Sequence, residues 1–112
     1  MKYMMLICVD DTVVLSPQER AEMPAATEAW VKEVDGSGVR LMGHELRPSS
    51  DATTVRLRNS EVLLADGPFA ETKEQIAGFD IIECADLDQA LDVAAKHPVA
   101  RFGLIEVRPF WQ

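Results

Sequence analysis

Apolar residues follow one another without interruption near the start of the chain and predict the first strand. This strand covers Lys2 to Val9, and its apolar positions are continuous rather than alternating, a pattern typical of strands buried on both faces. One face would meet the helices of the same chain. The other face needs a second cover, which a chain of 112 residues has little left to provide. The pattern therefore indicates a dimer that stacks sheet on sheet.

The region after the first strand has the signals of a capped helix interrupted by a proline. Ser16-Pro17-Gln18-Glu19 combines a capping box with proline at the first helical position. Because proline inside a helix removes a backbone hydrogen bond, Pro24 predicts two pieces, Pro17 to Met23 and Pro24 to about Asp35. The spacing of the second piece places four residues on one apolar face, namely Ala26, Ala29, Trp30 and Val34.

A second long helix is predicted to begin after Asp86, with Gln89 completing its cap. Pro98 prevents its continuation, and His97 near its end would interact with the last carbonyls and the helix dipole. Its apolar stripe consists of Leu87, Ala90, Leu91, Ala94 and Ala95.

The remaining apolar runs predict strands over Val39–Leu46, Ala77–Cys84 and Gly103–Arg108, and a hairpin of Thr53–Arg58 with Glu61–Ala65. In the hairpin, alternation places Val55 and Leu57 on one face and the polar Thr54, Arg56 and Arg58 on the other. The order strand, helix, strand, hairpin, strand, helix, strand predicts one α+β domain over residues 1–112. We expect a ferredoxin-like antiparallel sheet with two main helices on one face and an inserted β-hairpin.

Composition and charge narrow the classes of partner. The net charge is −8 and the pI is about 4.6, so nucleic acid and acidic membrane surfaces are disfavoured as partners. The longest apolar run, Tyr3 to Val9, is shorter than the ~20 residues of a membrane span, and no signal-peptide pattern precedes it. We therefore expect a cytoplasmic protein. Cys8 and Cys84 lie in apolar runs and predict buried thiols rather than a zinc site.

A turn after the hairpin carries a family resemblance. Asp66-Gly67-Pro68-Phe69, followed by Glu71-Thr72-Lys73-Glu74, resembles the signature of the DGPF-domain branch of the YCII-related family. The resemblance covers nearly the whole chain. It implies a four-stranded antiparallel sheet that pairs with a twofold mate as a dimeric α+β barrel. In that topology Cys8 and Cys84 lie at opposite edges of neighbouring strands, so no disulfide joins them.

The chain departs from the wider family at one place. The YCII-related family is known for a proposed His–Asp pair with the histidine on the first helix, but residues 17–36 contain no histidine. That pair cannot be carried over. No metal-site spacing, phosphate loop or serine elbow replaces it.

Asp66 and His44 are the candidate catalytic residues. Asp66 has two interpretations: it bonds backbone amides and holds the turn, or it stands at a pocket as a base or ligand anchor. His44 follows Gly43 in a strand, where glycine can mark a bulge or the close approach of a ligand, and histidine is suited to proton transfer. His44 also fits an ordinary surface position.

The candidate ligand-binding residues are Asp66, Phe69, Lys73 and Arg108. Lys73 belongs to a charged segment that fits a solvated surface, or it reaches towards Asp66 or an anionic ligand. Arg108 could bind a substrate carboxylate bidentately, but an ion pair within the chain, with Asp66 or Glu71 available, explains it as well. Phe69 fits either a pocket wall or the core.

These features together predict a homodimer with a small-molecule pocket between sheet and helices near the Asp66 turn. We expect no cofactor and no metal. The first hypothesis is a cofactor-free enzyme that acts on a small acid or carbonyl compound, by analogy with other proteins of this fold. The second is a non-catalytic accessory or sensor protein, because DGPF-type proteins are often encoded beside extracytoplasmic-function sigma factors.

Overall fold

The computed structural model describes residues 1–111, which form an α+β fold with an antiparallel sheet and two helices. Short 3₁₀ turns at Ser49–Asp51 and Pro98–Arg101 complete the secondary structure. In chain order the main elements of these residues are β1 (Lys2–Asp10), α1 (Pro17–Gly36), β2 (Arg40–Glu45), β3 (Thr53–Arg58), β4 (Glu61–Asp66), β5 (Glu74–Glu83), α2 (Leu87–Ala95) and β6 (Leu104–Pro109).

The main sheet has the strand order β2-β5-β1-β6, and all of its neighbours are antiparallel. Helix α1 connects β1 to β2 and helix α2 connects β5 to β6, so the connections cross over as in the ferredoxin-like arrangement. Cys8 lies near one end of β1 and pairs with Ile76, whereas Cys84 follows the far end of β5. Both thiols are free and buried, which confirms the prediction that no disulfide joins them.

The two faces of the sheet differ in cover. Tyr3 and Met5 of β1 and Ile82 of β5 point towards the helices and are at most 2% exposed, where they pack with Trp30 and Val34 of α1. The alternate positions, including Met4 and Leu6, point to the other side and are only half-buried. We call this side the open face of the sheet, because neither helix covers it.

Helix α1 runs through Pro24 without interruption, so the prediction of two helical pieces is wrong. The capping box of Ser16 and Glu19 is present and holds the first turn. Pro24 removes one backbone bond, and it does so on an exposed side of the helix where the carbonyl of Arg20 can meet solvent. One missing bond of this kind is tolerated when packing holds the rest of the helix.

The predicted apolar stripes contain the buried residues of both helices, but some of their other members are exposed. In α1, Ala26 and Ala29 are exposed, and the side facing the sheet instead includes Met23 and Thr27 beside Trp30 and Val34. In α2 the predicted cap of Asp86 is confirmed by its 2.9 Å bond from the Gln89 amide. The buried residues of α2 are Ala90 and Ala94, whereas Leu87, Leu91 and Ala95 are exposed. Small alanines allow α2 to lie close to the sheet.

Strand β5 begins at Glu74, three residues earlier than predicted, so the charged segment after the Asp66 turn is partly strand. Strands β3 and β4 form a separate two-stranded hairpin. Its turn residues Asn59 and Ser60 both have positive φ, at 50° and 64°, as in a type I′ turn.

The molecule is a flat slab with extents of 48 × 42 × 18 Å. The radius of gyration is 16.0 Å, whereas a compact chain of this length has about 13 Å. A thickness of 18 Å leaves room for one sheet and one layer of helices, since packed layers are ~10 Å apart. The hairpin therefore extends sideways rather than folding back over the open face.

Candidate functional site

A cavity of about 640 Å³ lies between the sheet and helix α1, a size typical of small-molecule sites. The middle of α1, from Met23 to Val31, forms one side of the cavity, and residues of strands β1, β2 and β5 form the other. Much of its wall is apolar, with Ile7, Val9 and Val99 among the lining residues. Polar and ionisable side chains interrupt this wall. They include Asp80, Arg40 and His97, together with Thr27, Glu28, His44 and Glu45. We call this space the Asp80 cavity.

Asp80 is held by an arginine at the floor of the cavity. Its Oδ1 atom accepts a 2.7 Å hydrogen bond from Nε of Arg40, and the Asp80 side chain is only 7% exposed. On its other side, Nη1 of Arg40 contacts Oδ1 of the half-exposed Asp35 at 3.3 Å. One positive charge thus lies between two carboxylates, of which only Asp80 is buried.

Gly43 makes room for this pair. A Cβ atom at position 43 would lie 1.9 Å from Oδ1 of Asp80 and 2.7 Å from an Nη atom of Arg40, so any side chain there would displace the ion pair. Gly43 lies opposite Asp80 in the register of β2 and β5. The sequence pattern was compatible with a bulge or with the close approach of a ligand at this glycine. The register of β2 and β5 shifts between Arg40 and Met42, and the group that approaches Gly43 is a carboxylate of the same chain.

The second oxygen of Asp80 has no protein partner. Within residues 1–111, every fully buried side-chain oxygen and nitrogen has a hydrogen-bond partner, whereas Oδ2 of Asp80 makes none with these residues. It follows that Oδ2 reaches accessible space, and Asp80 borders the cavity. Burial raises the pKa of Asp80 above its ordinary value, although the Arg40 hydrogen bond opposes the shift. A carboxylate of raised pKa with a free oxygen is suited to proton transfer.

His97 borders the same cavity as a neutral ring. Its Nδ1 atom accepts a 3.1 Å hydrogen bond from the Val99 amide, so the proton of the neutral ring lies on Nε2. Burial lowers the pKa of His97 to about 4. The prediction that His97 acts through the dipole of the last helix is wrong. The residue lies beyond α2, caps the following 3₁₀ turn with its acceptor nitrogen, and carries no charge at neutral pH.

Trp30 fixes the position of His97 and of helix α1. The two rings meet edge to face with centroids 4.7 Å apart, and Nε1 of Trp30 donates a 3.0 Å hydrogen bond to the Val93 carbonyl of α2. Trp30 is 4% exposed. The cavity wall is thus tied to both helices, which favours a pre-formed site over one that closes on binding.

The predicted site residue Asp66 lies elsewhere. It ends β4 and is exposed, and its carboxylate accepts no hydrogen bond from residues 1–111. The backbone bonds expected from the structural interpretation are therefore missing. Gly67 holds the turn instead: it has a φ of 98°, and its amide donates to the Ala52 carbonyl at 2.7 Å. Thr54 also donates to the Gly67 carbonyl, at 2.9 Å.

The other predicted residues do not converge on Asp66. Phe69 is 76% exposed. Lys73 lies in an exposed loop between β4 and β5. Arg108 forms an ion pair, as one interpretation expected, but with its neighbour Glu106. His44 is exposed and pairs with Phe79 across the strands, with the two ring centroids 6.0 Å apart. It is among the residues that line the Asp80 cavity.

A second, open cavity of about 760 Å³ lies at the root of the hairpin, next to the Asp66 turn. Pro68 and Phe69 line it together with Leu46, Thr54 and Ile76. The ionisable residues on its wall are Arg47 and Asp51. They form an exposed ion pair with each other, in which Nε of Arg47 lies 3.0 Å from Oδ2 of Asp51. The predicted pocket between sheet and helices and the predicted Asp66 turn therefore belong to two separate cavities.

Two further features of residues 1–111 concern metal binding and membrane crossing. No cluster of three or more histidine, cysteine or carboxylate side chains in residues 1–111 is arranged to hold a metal ion. Among the described helices, none combines the length and the apolar character that crossing a membrane requires.

Comparisons with known proteins agree on the family and the fold. The family model for the YCII-related domain matches residues 1–112. An uncharacterised protein of Rhizobium meliloti (strain 1021) is 39% identical over an alignment that covers 76% of this chain and 82% of the relative.

A solved structure, 5-chloro-2-hydroxyhydroquinone dehydrochlorinase from Burkholderia phenoliruptrix AC1100 in complex with 2,5-dihydroxybenzoquinone, has a similar fold. It superposes with a TM-score of 0.53 at 14% identity, over 100% of this chain and 95% of its own. The chain belongs to the YCII-related family.

Proposed function

We propose that this protein is a cofactor-free enzyme that binds a small acid or carbonyl compound in the Asp80 cavity and transfers a proton to or from it. One observation carries the proposal: the buried Asp80 carboxylate has a raised pKa, lines a cavity of about 640 Å³ and has one oxygen that makes no hydrogen bond with residues 1–111. A purely structural ion pair has no need of a cavity at its free oxygen.

The chemistry that these residues support is enolisation. Oδ2 of ionised Asp80 takes a proton from the carbon next to a carbonyl group. The C–H bond breaks, its electron pair forms a carbon–carbon double bond, and the carbonyl oxygen gains negative charge. Nε2 of neutral His97 carries a proton and can donate a hydrogen bond to that oxygen. Asp80 then returns its proton to the substrate at the same or another carbon.

The apolar lining residues favour a ligand with a hydrophobic body, such as a small ring, and the polar lining residues favour hydroxyl or carbonyl substituents. The dehydrochlorinase with the similar fold binds 2,5-dihydroxybenzoquinone, a ring with such substituents. This likeness supports the choice of hydroxylated quinones and keto acids as first probes.

Three further points belong to the same proposal. The Asp66-Gly67-Pro68-Phe69 motif assigns the chain to the DGPF branch of its family. Free Cys8 and Cys84 fit a cytoplasmic location. The chain acts as a dimeric α+β barrel, in which the open face of the sheet, including half-buried Met4 and Leu6, packs against the same face of a second copy.

The test of the proposed function is a thermal-shift screen of hydroxylated quinones, phenolic acids and keto acids on the wild-type protein. A ligand at 100 times its Kd stabilises a protein by about 2.7 kcal/mol, which raises the Tm of a domain this size by about 10 °C. We expect the shift to disappear in Val31→Trp, which fills the cavity, and to persist in Phe69→Ala at the second cavity. A ligand that still binds Val31→Trp but not Phe69→Ala would place the site at the hairpin root.

The alternative function is a sensor that binds the same class of ligand without changing it. The exposed apolar hairpin favours this alternative where it is left uncovered by a second copy, because a partner protein could then detect ligand binding through that surface. Ligand that is bound in the Asp80 cavity and recovered without any solvent proton incorporated would support the sensor over the enzyme.

A further inference from the structure

One face of the hairpin is apolar and uncovered. Val55 pairs with Leu64, and Leu57 pairs with Val62, so these four side chains share a face. Their exposed fractions lie between 62% and 68%. We call this surface the hairpin face. The opposite side carries Thr54, Arg56 and Arg58, and the one large apolar residue there, Leu63, is 42% exposed.

Within residues 1–111, the hairpin forms a sheet of its own. Its strands pair with each other and not with the main sheet. Because the whole molecule is a slab 18 Å thick, the hairpin lies beside the sheet and cannot cover its open face. An isolated two-stranded hairpin is marginally stable in water, so four exposed apolar side chains on one face indicate an interaction surface.

The accessible surface area is large for a chain of this mass. The accessible surface is 7937 Å², whereas a folded monomer of 12.4 kDa exposes about 6,100 Å². The excess, about 1,800 Å², is more than the ~800 Å² that each partner buries in a standard protein interface. The excess is large enough for an obligate dimer that uses both the open face and the hairpin face.

We infer that the hairpin is an arm that crosses to a second copy of this chain and packs the hairpin face against it. This inference rests on the proposed dimer and adds to it the segment that is exchanged. A twofold dimer contains two hairpin faces, one from each copy, so the same apolar contact is formed twice in each dimer. The turn at Asn59 and Ser60 defines the tip of the arm.

The test compares the dimer dissociation constants of three full-length proteins by analytical ultracentrifugation. Leu57→Thr with Leu64→Thr removes apolar surface from the hairpin face while keeping a good strand former. Leu63→Thr is the matched control on the opposite side. We expect a wild-type dimer at micromolar concentration, an increase in Kd of about 100-fold in the double variant, and less than about threefold in the control.

The possible outcomes test the dimer and the exchanged hairpin arm separately. A monomeric wild-type protein overturns both. A dimer whose Kd is unchanged in the double variant overturns the arm and leaves the dimer in place. Equal losses in the double variant and in Leu63→Thr overturn the assignment to the hairpin face.

A second measurement does not depend on whether the variants fold. Isotope-filtered NMR on mixed labelled and unlabelled wild-type chains should show intermolecular contacts to the Leu57 and Leu64 methyl groups. A dimer without such contacts contradicts the arm.

Discussion

The Asp80 carboxylate and the Arg40 guanidinium meet through a single 2.7 Å hydrogen bond, from Nε to Oδ1. An arginine that neutralised a structural aspartate could use its planar fork to bind both oxygens. Here the other contact of Arg40 goes to Asp35, and Oδ2 of Asp80 is left for the cavity. Arg40 therefore holds the Asp80 carboxylate in place through one oxygen and leaves the other oxygen without a hydrogen bond from it.

The first prediction concerns Gly43. Gly43→Ala places a methyl group where Oδ1 of Asp80 now lies, so it should separate Asp80 from Arg40 and reduce the free energy of unfolding by roughly 1–3 kcal/mol. Denaturant unfolding measures this loss. Gly36→Ala is the control, because no atom lies within 4 Å of the added carbon and alanine favours the end of helix α1; it should be neutral or stabilising. Equal behaviour of the two variants would contradict the close approach.

The second prediction compares two carboxylates that contact the same arginine. Asp80→Ala leaves the largely buried Arg40 without its shorter contact and should destabilise the fold by about 3 kcal/mol. Asp35→Ala removes a half-exposed partner and should change stability by less than about 1 kcal/mol. Chemical denaturation of both variants at pH 7 measures the difference. If Asp35→Ala is the more harmful substitution, the ion pair is centred on the surface and not on the cavity.

The third prediction concerns the pH dependence of stability. His97 has a lowered pKa of about 4 in the fold against 6.5 as its ordinary value, so the unfolded chain binds a proton first as pH falls. The stabilisation from neutral His97 is therefore complete above pH 6.5 and is lost between pH 6.5 and about 4. At ~1.4 kcal/mol per pKa unit the loss is roughly 3 kcal/mol.

His97→Asn keeps an acceptor for the Val99 amide and removes the titrating ring. We expect it to be less stable than wild type at pH 7, with the difference shrinking as the pH approaches 4. Exposed His44→Asn serves as the control and should leave the wild-type pH dependence unchanged. Parallel stability curves for wild type and His97→Asn across this range would contradict a buried neutral histidine.

Local signals in the sequence were strong enough to predict the order of the helices and strands. The capping residues Ser16 and Asp86 begin their helices as predicted, because the cap needs only a side-chain oxygen at one position. Pro24 misled the prediction, since one missing backbone bond is a local loss that packing around Trp30 and Val34 outweighs. The predicted stripes contain the buried residues of each helix, Trp30 and Val34 in α1 and Ala90 and Ala94 in α2. The width of each stripe was not predicted, because it depends on tertiary contacts.

The central site residue was missed because Asp80 stands inside an apolar run, where a charged side chain was not considered as part of the core. A signal was nevertheless present. Gly78, Asp80 and Ile82 alternate along one face of β5, and all three are buried, so the period of two places the carboxylate on the helix side. Arg40 and Gly43 gave no sign of this contact on their own, because strand register is a long-range property.

Deuterium incorporation from D₂O into the carbon-bound positions of a keto acid or hydroxyquinone tests the role of Asp80 most directly, since it reports proton abstraction whether or not a net reaction follows. Wild type should accelerate the exchange, at a rate that rises with pH as Asp80 ionises above its ordinary pKa of 3.8. Asp80→Asn, checked for its fold by circular dichroism, should lose the acceleration, whereas Asp66→Asn should retain it. Exchange that survives in Asp80→Asn and disappears in Asp66→Asn would contradict the account.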